Sequence, residues 1–138
     1  MAELDIDVLL LAAGFGSRLR PLTENTPKPL IEVGSKTLIE RHLEMLAESG
    51  VQRVIVNTHY RAEQLKKYLG DGSDWGLEIV VVHESEILDT GGAIKNILPE
   101  LRFEQLLTIN SDIPFSFTHL RAHQNKTKIG FRLFLVKK

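Results

Sequence analysis

No cysteine occurs among the 138 residues, which excludes disulfides and thiolate metal sites and leaves an oxidising, secreted setting unsupported. No apolar run is long enough to span a bilayer, and residues 1–7 are acidic where a signal peptide would be basic. An excess of either charge is missing too. The chain has 17 Lys and Arg against 18 Asp and Glu, a net charge of −1, so nothing suggests a nucleic-acid groove or a polybasic membrane surface. A cytoplasmic protein is the expectation. Internal repeats and low-complexity segments are absent. Two familiar phosphate loops are absent as well. No Gly-Lys is followed by Ser or Thr, and the dinucleotide fingerprint that Gly14-Phe15-Gly16 begins would need a glycine where Leu19 stands.

What is present fits one globular domain spanning residues 1–138, with 43% hydrophobic and 25% charged residues. Residues 6–11 are continuously apolar apart from Asp7, as in a strand buried on both faces. They lead into Ala12-Ala13-Gly14, then Gly16, Ser17, Arg18 and Arg20, and a segment marked by Pro21, Pro27 and Pro29 that closes on Lys28-Pro29. Small residues let backbone N–H groups approach a ligand, and cations beside them favour an anion. A phosphate-bearing ligand is the first reading, and an ordinary strand-to-helix turn with surface arginines is the alternative.

Downstream, Thr37 and Glu40 form a capping box for a helix whose face carries Ile39, Leu43 and Leu46, and Gly50 is placed to end it. Strands are expected at 51–56, 77–82, 106–109 and 131–136, with helices at 61–69, after Thr90-Gly91-Gly92, and at 117–124. The alternation implies an α/β fold, a Rossmann-like and mostly parallel sheet with helices on both faces. In such sheets ligands lie beyond the carboxyl ends of the strands, so the polar clusters near Gly14, Thr90 and Asn110-Ser111-Asp112 should share one rim.

The motifs from Ala12 to Arg18, Pro21-Leu22-Thr23, Lys28-Pro29-Leu30, Gly70-Asp71-Gly72-Ser73, Trp75-Gly76-Leu77, Thr90-Gly91-Gly92 and Asn110-Ser111-Asp112 together resemble sugar-1-phosphate nucleotidyltransferases. Within that family, Leu88-Asp89-Thr90-Gly91-Gly92 is most similar to bacterial N-acetylmuramate-1-phosphate uridylyltransferases and short mannose-1-phosphate guanylyltransferases. The resemblance implies attack by a sugar 1-phosphate on the α-phosphorus of a nucleoside triphosphate, UTP or GTP, releasing pyrophosphate. It implies catalytic roles for Arg18, whose planar fork suits the β- and γ-phosphates, and for Lys28 at the α-phosphate. Ala13, Gly14, Gly16 and Ser17 would meet nucleoside and phosphates, and Thr90, Gly91 and Gly92 would approach the base. Asn110 would touch nucleotide or sugar, and Asp112 would hold Mg²⁺. A solvated arginine, a surface lysine, a glycine N-cap turn and an Asn-Ser-Asp turn are the corresponding plain structural readings. Glu84 lies where relatives read the base, but the intervening spacing varies, and it is not placed among the site residues. His119 and His123, spaced i, i+4, lack a third zinc ligand and read as ordinary helix histidines, and Trp75 reads as packing.

Family members continue past the fifth strand, completing the sugar pocket and supplying a second acid to pair with Asp112. No Asp or Glu follows Gln124 here. The expectation is therefore a triphosphate side without most of the acceptor side, as an excised fragment, a truncated gene product or a short member completed by another chain would give, and association is expected, with residues 131–136 at an interface. Two other readings stand beside the enzyme: a module that binds nucleotide without turnover, and a cytidylyltransferase acting on a small phospho-alcohol such as phosphocholine.

Overall fold

The run expected to be a doubly buried strand forms β1 (Asp7–Leu11). Val8, Leu9 and Leu10 are all completely buried, because alternate side chains enter two different cores. A computed structural model describes residues 3–14, 20–111 and 131–135, with the backbone alone for the last five. In chain order the other elements are β2 (Glu32–Val33), β3 (Lys36–Thr37), α1 (Leu38–Glu48), β4 (Arg53–Thr58), α2 (Ala62–Leu69), β5 (Glu78–His83), α3 (Thr90–Ile97), β6 (Gln105–Asn110) and β7 (Phe131–Leu135). The expected helix at 117–124, with His119 and His123, lies outside the described residues.

The main sheet has the order β5-β4-β1-β6-β7. β5, β4, β1 and β6 are parallel, with Leu9 opposite Ile55 on one side and Thr108 on the other. β7 runs antiparallel to β6, so the sheet is mostly rather than wholly parallel. The β2–β3 hairpin, turning through Gly34 at φ +72°, was not expected from the sequence.

Val8 and Leu10 pack with Ile39, Leu43 and Leu46 of α1 and Leu65 and Leu69 of α2 on one face. Leu9 packs with Ala93 and Ile97 of α3 on the other. The helices thus cover both faces, as the alternation implied. α1 is capped as its sequence indicates: Thr37 Oγ1 accepts the Glu40 N–H at 3.1 Å. Glu40's carboxylate does not close the box on the backbone; it accepts from the Tyr68 hydroxyl at 3.3 Å. Trp75 packs against the first core and lies 5.9 Å from Tyr68, ring centre to ring centre, which is the packing role expected of it. No helix among the described residues is long and apolar enough to cross a membrane.

Candidate functional site

The chain leaves β1 and returns through α1 to β4 on one side, while β6 lies on β1's other side. The strand order therefore reverses between β1 and β6. At such a switch point the connecting segments diverge to opposite faces and open a crevice at the carboxyl ends of the strands. Ala12, Ala13 and Gly14 leave β1 at one side of it, and Asn110 ends β6 at the other, in register with Leu11. Ser111 ties the two strand ends together, its hydroxyl donating to Leu11 O at 2.9 Å. Asn110 stays partly exposed, while Ser111 is buried in this turn.

The glycines expected at the site differ in what requires them. Among the described residues a Cβ on Gly14 would meet nothing within 4 Å, so none of them gives a reason for glycine there, whereas a close-lying ligand would. A Cβ on Gly92 would lie 3.1 Å from Asp89 Oδ1 and 3.2 Å from Leu88 Cβ, so packing explains that glycine. Asp89, rather than Thr90, caps α3, its Oδ1 accepting the Gly92 N–H at 2.7 Å. That amide is already satisfied by the chain. Gly91 is looser, its nearest neighbour being Asp89 Oδ1 at 3.7 Å.

Lys28 opens a short 3₁₀ turn, Lys28–Leu30, behind Pro27 and ahead of the buried Pro29. The segment before it is fastened to the residues that follow β4. The Tyr60 hydroxyl contacts Thr23 O at 2.7 Å and Glu24 O at 2.9 Å, Arg61 Nη2 donates to Glu24 O at 2.6 Å, and Gln64 Nε2 donates to Asn25 O at 3.1 Å. Arg61 holds a left-handed backbone, φ +51°, an arrangement a bulky residue adopts at some energetic cost when its surroundings fix it. Sequence reasoning missed this clamp. A positive-φ arginine carries no local sequence signal.

It also left out Glu84, which the structure places just past β5, only 2% exposed. Glu84 Oε2 accepts from Asn57 Nδ2 at 3.1 Å, and Oε1 accepts the Leu88 N–H at 3.3 Å. Asn57 Oδ1 in turn accepts the Ala12 N–H at 2.6 Å.

Gly16, Ser17, Arg18 and Asp112 lie outside the described residues. Among the described residues, Ala13, Gly14, Thr90, Gly91, Gly92 and Asn110 stand at the carboxyl ends of the parallel strands or on the loops leaving them. The segment before Lys28 is tied to that same end. Among the described residues, no three His, Asp or Glu side chains gather into a ready-made metal cage. Mg²⁺ does not need one, since it keeps several waters and is held by one or two carboxylates plus phosphate oxygens.

A family model described as nucleotidyl transferase matches residues 7–137. The chain is 41% identical over 129 residues to a mannose-1-phosphate guanylyltransferase catalytic subunit beta from Drosophila pseudoobscura pseudoobscura, covering 88% of this chain and 34% of that one. It is 37% identical over 122 residues to an N-acetylmuramate alpha-1-phosphate uridylyltransferase from Neisseria meningitidis serogroup B, covering 88% and 53%. Among solved structures, the CTP:phosphocholine cytidylyltransferase of Streptococcus pneumoniae superposes with a TM-score of 0.64 at 35% identity, covering 79% of this chain and 46% of that one. The chain thus spans between about a third and a half of the length of these relatives. With a mostly parallel α/β sheet whose strand order reverses between β1 and β6, and a matching family model over nearly all its residues, the chain belongs to the nucleotidyl transferase family.

Proposed function

We propose that this chain forms the nucleoside-triphosphate side of a nucleotidyltransferase that joins a nucleoside monophosphate from UTP or GTP to a sugar 1-phosphate. The observation that carries the reading is the reversal of strand order between β1 and β6, which puts Gly14, with no described atom within 4 Å of an added Cβ, and Asn110, in register with Leu11, at neighbouring carboxyl ends of the sheet. In the reaction a phosphate oxygen of the sugar 1-phosphate bonds to the α-phosphorus as the bond to pyrophosphate breaks. Such a step needs alignment and neutralisation of spreading negative charge more than it needs covalent chemistry. Backbone amides from Ala13 to Ser17 would line the phosphates, with Arg18 on the β- and γ-phosphates and Lys28 on the α-phosphate. Thr90 and Gly91 would approach the base, and Asn110 the nucleotide or sugar. Asp112 would hold a Mg²⁺ arriving with the nucleotide, which supplies charge neutralisation.

Pyrophosphate release tests this, measured with Mg²⁺, each of UTP, GTP and CTP, and mannose 1-phosphate, N-acetylmuramate 1-phosphate or phosphocholine as acceptor. Release with UTP or GTP and a sugar phosphate is the expected result. Release with CTP and phosphocholine supports the cytidylyltransferase reading, favoured by the 35% identity to the pneumococcal enzyme. Nucleotide binding without release supports a binding module, and no nucleotide binding overturns all three.

A further inference from the structure

A carboxylate taken out of water without a cation is costly, and Glu84 is such a group: 2% exposed, with no ion pair among the described residues. An apolar side chain would fill the space at lower cost, so the oxygens themselves need a reason. Glu84 is held on every side. Its N–H donates to Thr58 O at 2.7 Å, and its carbonyl accepts from His59 Nδ1 at 2.7 Å. Its carboxylate meets two donors, the Asn57 amide and the Leu88 N–H, a demand only a pure acceptor satisfies. Asn57, 3% exposed, must do the opposite on its two ends, accepting from Ala12 N–H and donating to Glu84. The orientation of its amide is fixed because Ala12 N–H can only donate.

We propose that Asn57 and Glu84 are positioning residues, a buried relay that sets the spacing between the Ala12–Gly14 turn after β1 and the Leu88–Gly92 turn at the start of α3. The relay crosses three strand ends, from Ala12 through Asn57 to Glu84 and Leu88, with each donor facing an acceptor. It rests on the proposed nucleotide site only for its effect on ligand affinity. A ligand spanning both turns feels the spacing, while one touching the phosphate turn alone does not.

The polarity of the chain of hydrogen bonds supplies the test. Glu84→Gln sets an amide hydrogen against either Asn57 or Leu88 N–H, and Asn57→Asp sets two carboxylates together. The double swap, Asn57→Asp with Glu84→Gln, reverses the middle bond and restores every pairing: Ala12 N–H to the new carboxylate, the new amide to that carboxylate, and Leu88 N–H to the amide oxygen. Amide exchange by NMR should rise about tenfold at both Ala12 and Leu88 in each single variant and return to within about twofold of the parent in the double. Affinity for Mg-UTP or Mg-GTP should fall about tenfold in the singles and recover in the double, with inorganic triphosphate little affected.

Asp7→Asn, which disturbs a buried carboxylate at the sheet's other end, should lower Tm and leave affinity and the Ala12 and Leu88 amides alone. The relay is overturned if each single variant disturbs only the amide beside it, or if the swap does not rescue. Should a single variant not fold, the double decides: folded with both amides protected supports the relay, unfolded overturns it. A parent protein without nucleotide affinity would overturn the proposed function, and the exchange data would still judge the relay.

Discussion

The two ends of one sheet solve the problem of buried polar groups in opposite ways. At the amino end of the strands, charges close on one another. Arg53, 5% exposed, has Asp7 at 3.4 Å, Glu78 at 3.3 Å and Glu100 at 3.5 Å, and donates to Glu100 O at 2.5 Å. Its Nε approaches Glu78 without the alignment of a hydrogen bond. Arg102 grips Glu78 through both terminal nitrogens, at 2.9 and 3.0 Å, and Asp7 Oδ2 takes the N–H groups of Arg102 and Phe103 at 2.8 Å each. At the carboxyl end, among the described residues, the bonds run through amides, hydroxyls, main-chain groups, the His59 ring, the Arg61 guanidinium on a main-chain carbonyl and the Glu84 carboxylate, with no ion pair among them, and they hold the turns that leave the strands. Both guanidiniums there are spent on the three carboxylates, and neither is left for an anionic ligand. Amide-held turns keep their shape and leave the local field to whatever arrives. On the proposed function, the amino end serves stability and the carboxyl end binding.

The largest effect that could break this comparison lies at the amino end. Asp7 is completely buried, and Asp7→Asn would set amide hydrogens against N–H donors and leave Arg53 with less compensation. We expect a loss of about 3 kcal/mol in denaturant unfolding, with nucleotide affinity unchanged in the folded protein. A fall in affinity at constant stability would erase the division between the two ends.

Gly14→Ala is the mirror experiment and the next in size. Nothing among the described residues meets the added methyl, and the glycine is not among those with positive φ, so Tm should hold or rise slightly. A ligand lying against that backbone would meet the methyl instead, and Mg-nucleotide affinity should fall about tenfold in titration calorimetry. Equal affinity would remove Gly14 from the binding surface.

Much of this arrangement was readable in advance, and what was not has a physical cause. β1 announced itself because nearly every residue is apolar, and α1 through its Thr37 cap. β4 was expected at 51–56 and lies at Arg53–Thr58, because Arg53, Asn57 and Thr58 are polar residues buried by partners far away in sequence. Hydrophobic periodicity cannot see such burial. The direction of β7 was not legible either, since alternation of strand and helix says nothing of an edge strand's sense. Of the candidate site residues, Gly14 and Asn110 lie within three residues of a strand end and Thr90, Gly91 and Gly92 open α3, so all five come from motifs that are local in sequence. Asn57 with Glu84, 27 residues apart, and Tyr60 with Thr23, 37 apart, become pairs only when β4 lies in register between β1 and β5.

Tyr60→Phe sharpens the comparison on a smaller scale. One hydroxyl is shared between Thr23 O and Glu24 O, and Arg61 still holds Glu24 O after it is removed. The loss should be about 1 kcal/mol in unfolding. Because this clamp fixes the segment leading to Lys28, pyrophosphate release in an active context should fall more than nucleotide affinity does. A purely structural clamp would lower stability alone.

The smallest expected effect is a pH response confined to the amino end. Asp71, in the turn before β5, has its carboxyl held below the usual 3.8, first by the Ser73 N–H, which donates to Oδ1 at 2.9 Å, and then by the Ser73 hydroxyl. A carboxylate favoured in the folded state adds stability above the unfolded pKa, and that contribution is lost as pH falls through the lower folded value. The Ser73 amide signal should therefore titrate below pH 3.8, and Asp71→Asn should flatten that part of the acid limb. The group is fully exposed, so the change in overall stability should be slight. The Ala12 and Leu88 amides should not follow Asp71, because nothing in the relay touches that turn. A common titration at both ends would mean that the sheet transmits charge from one rim to the other, and the separation of stability from binding would fail.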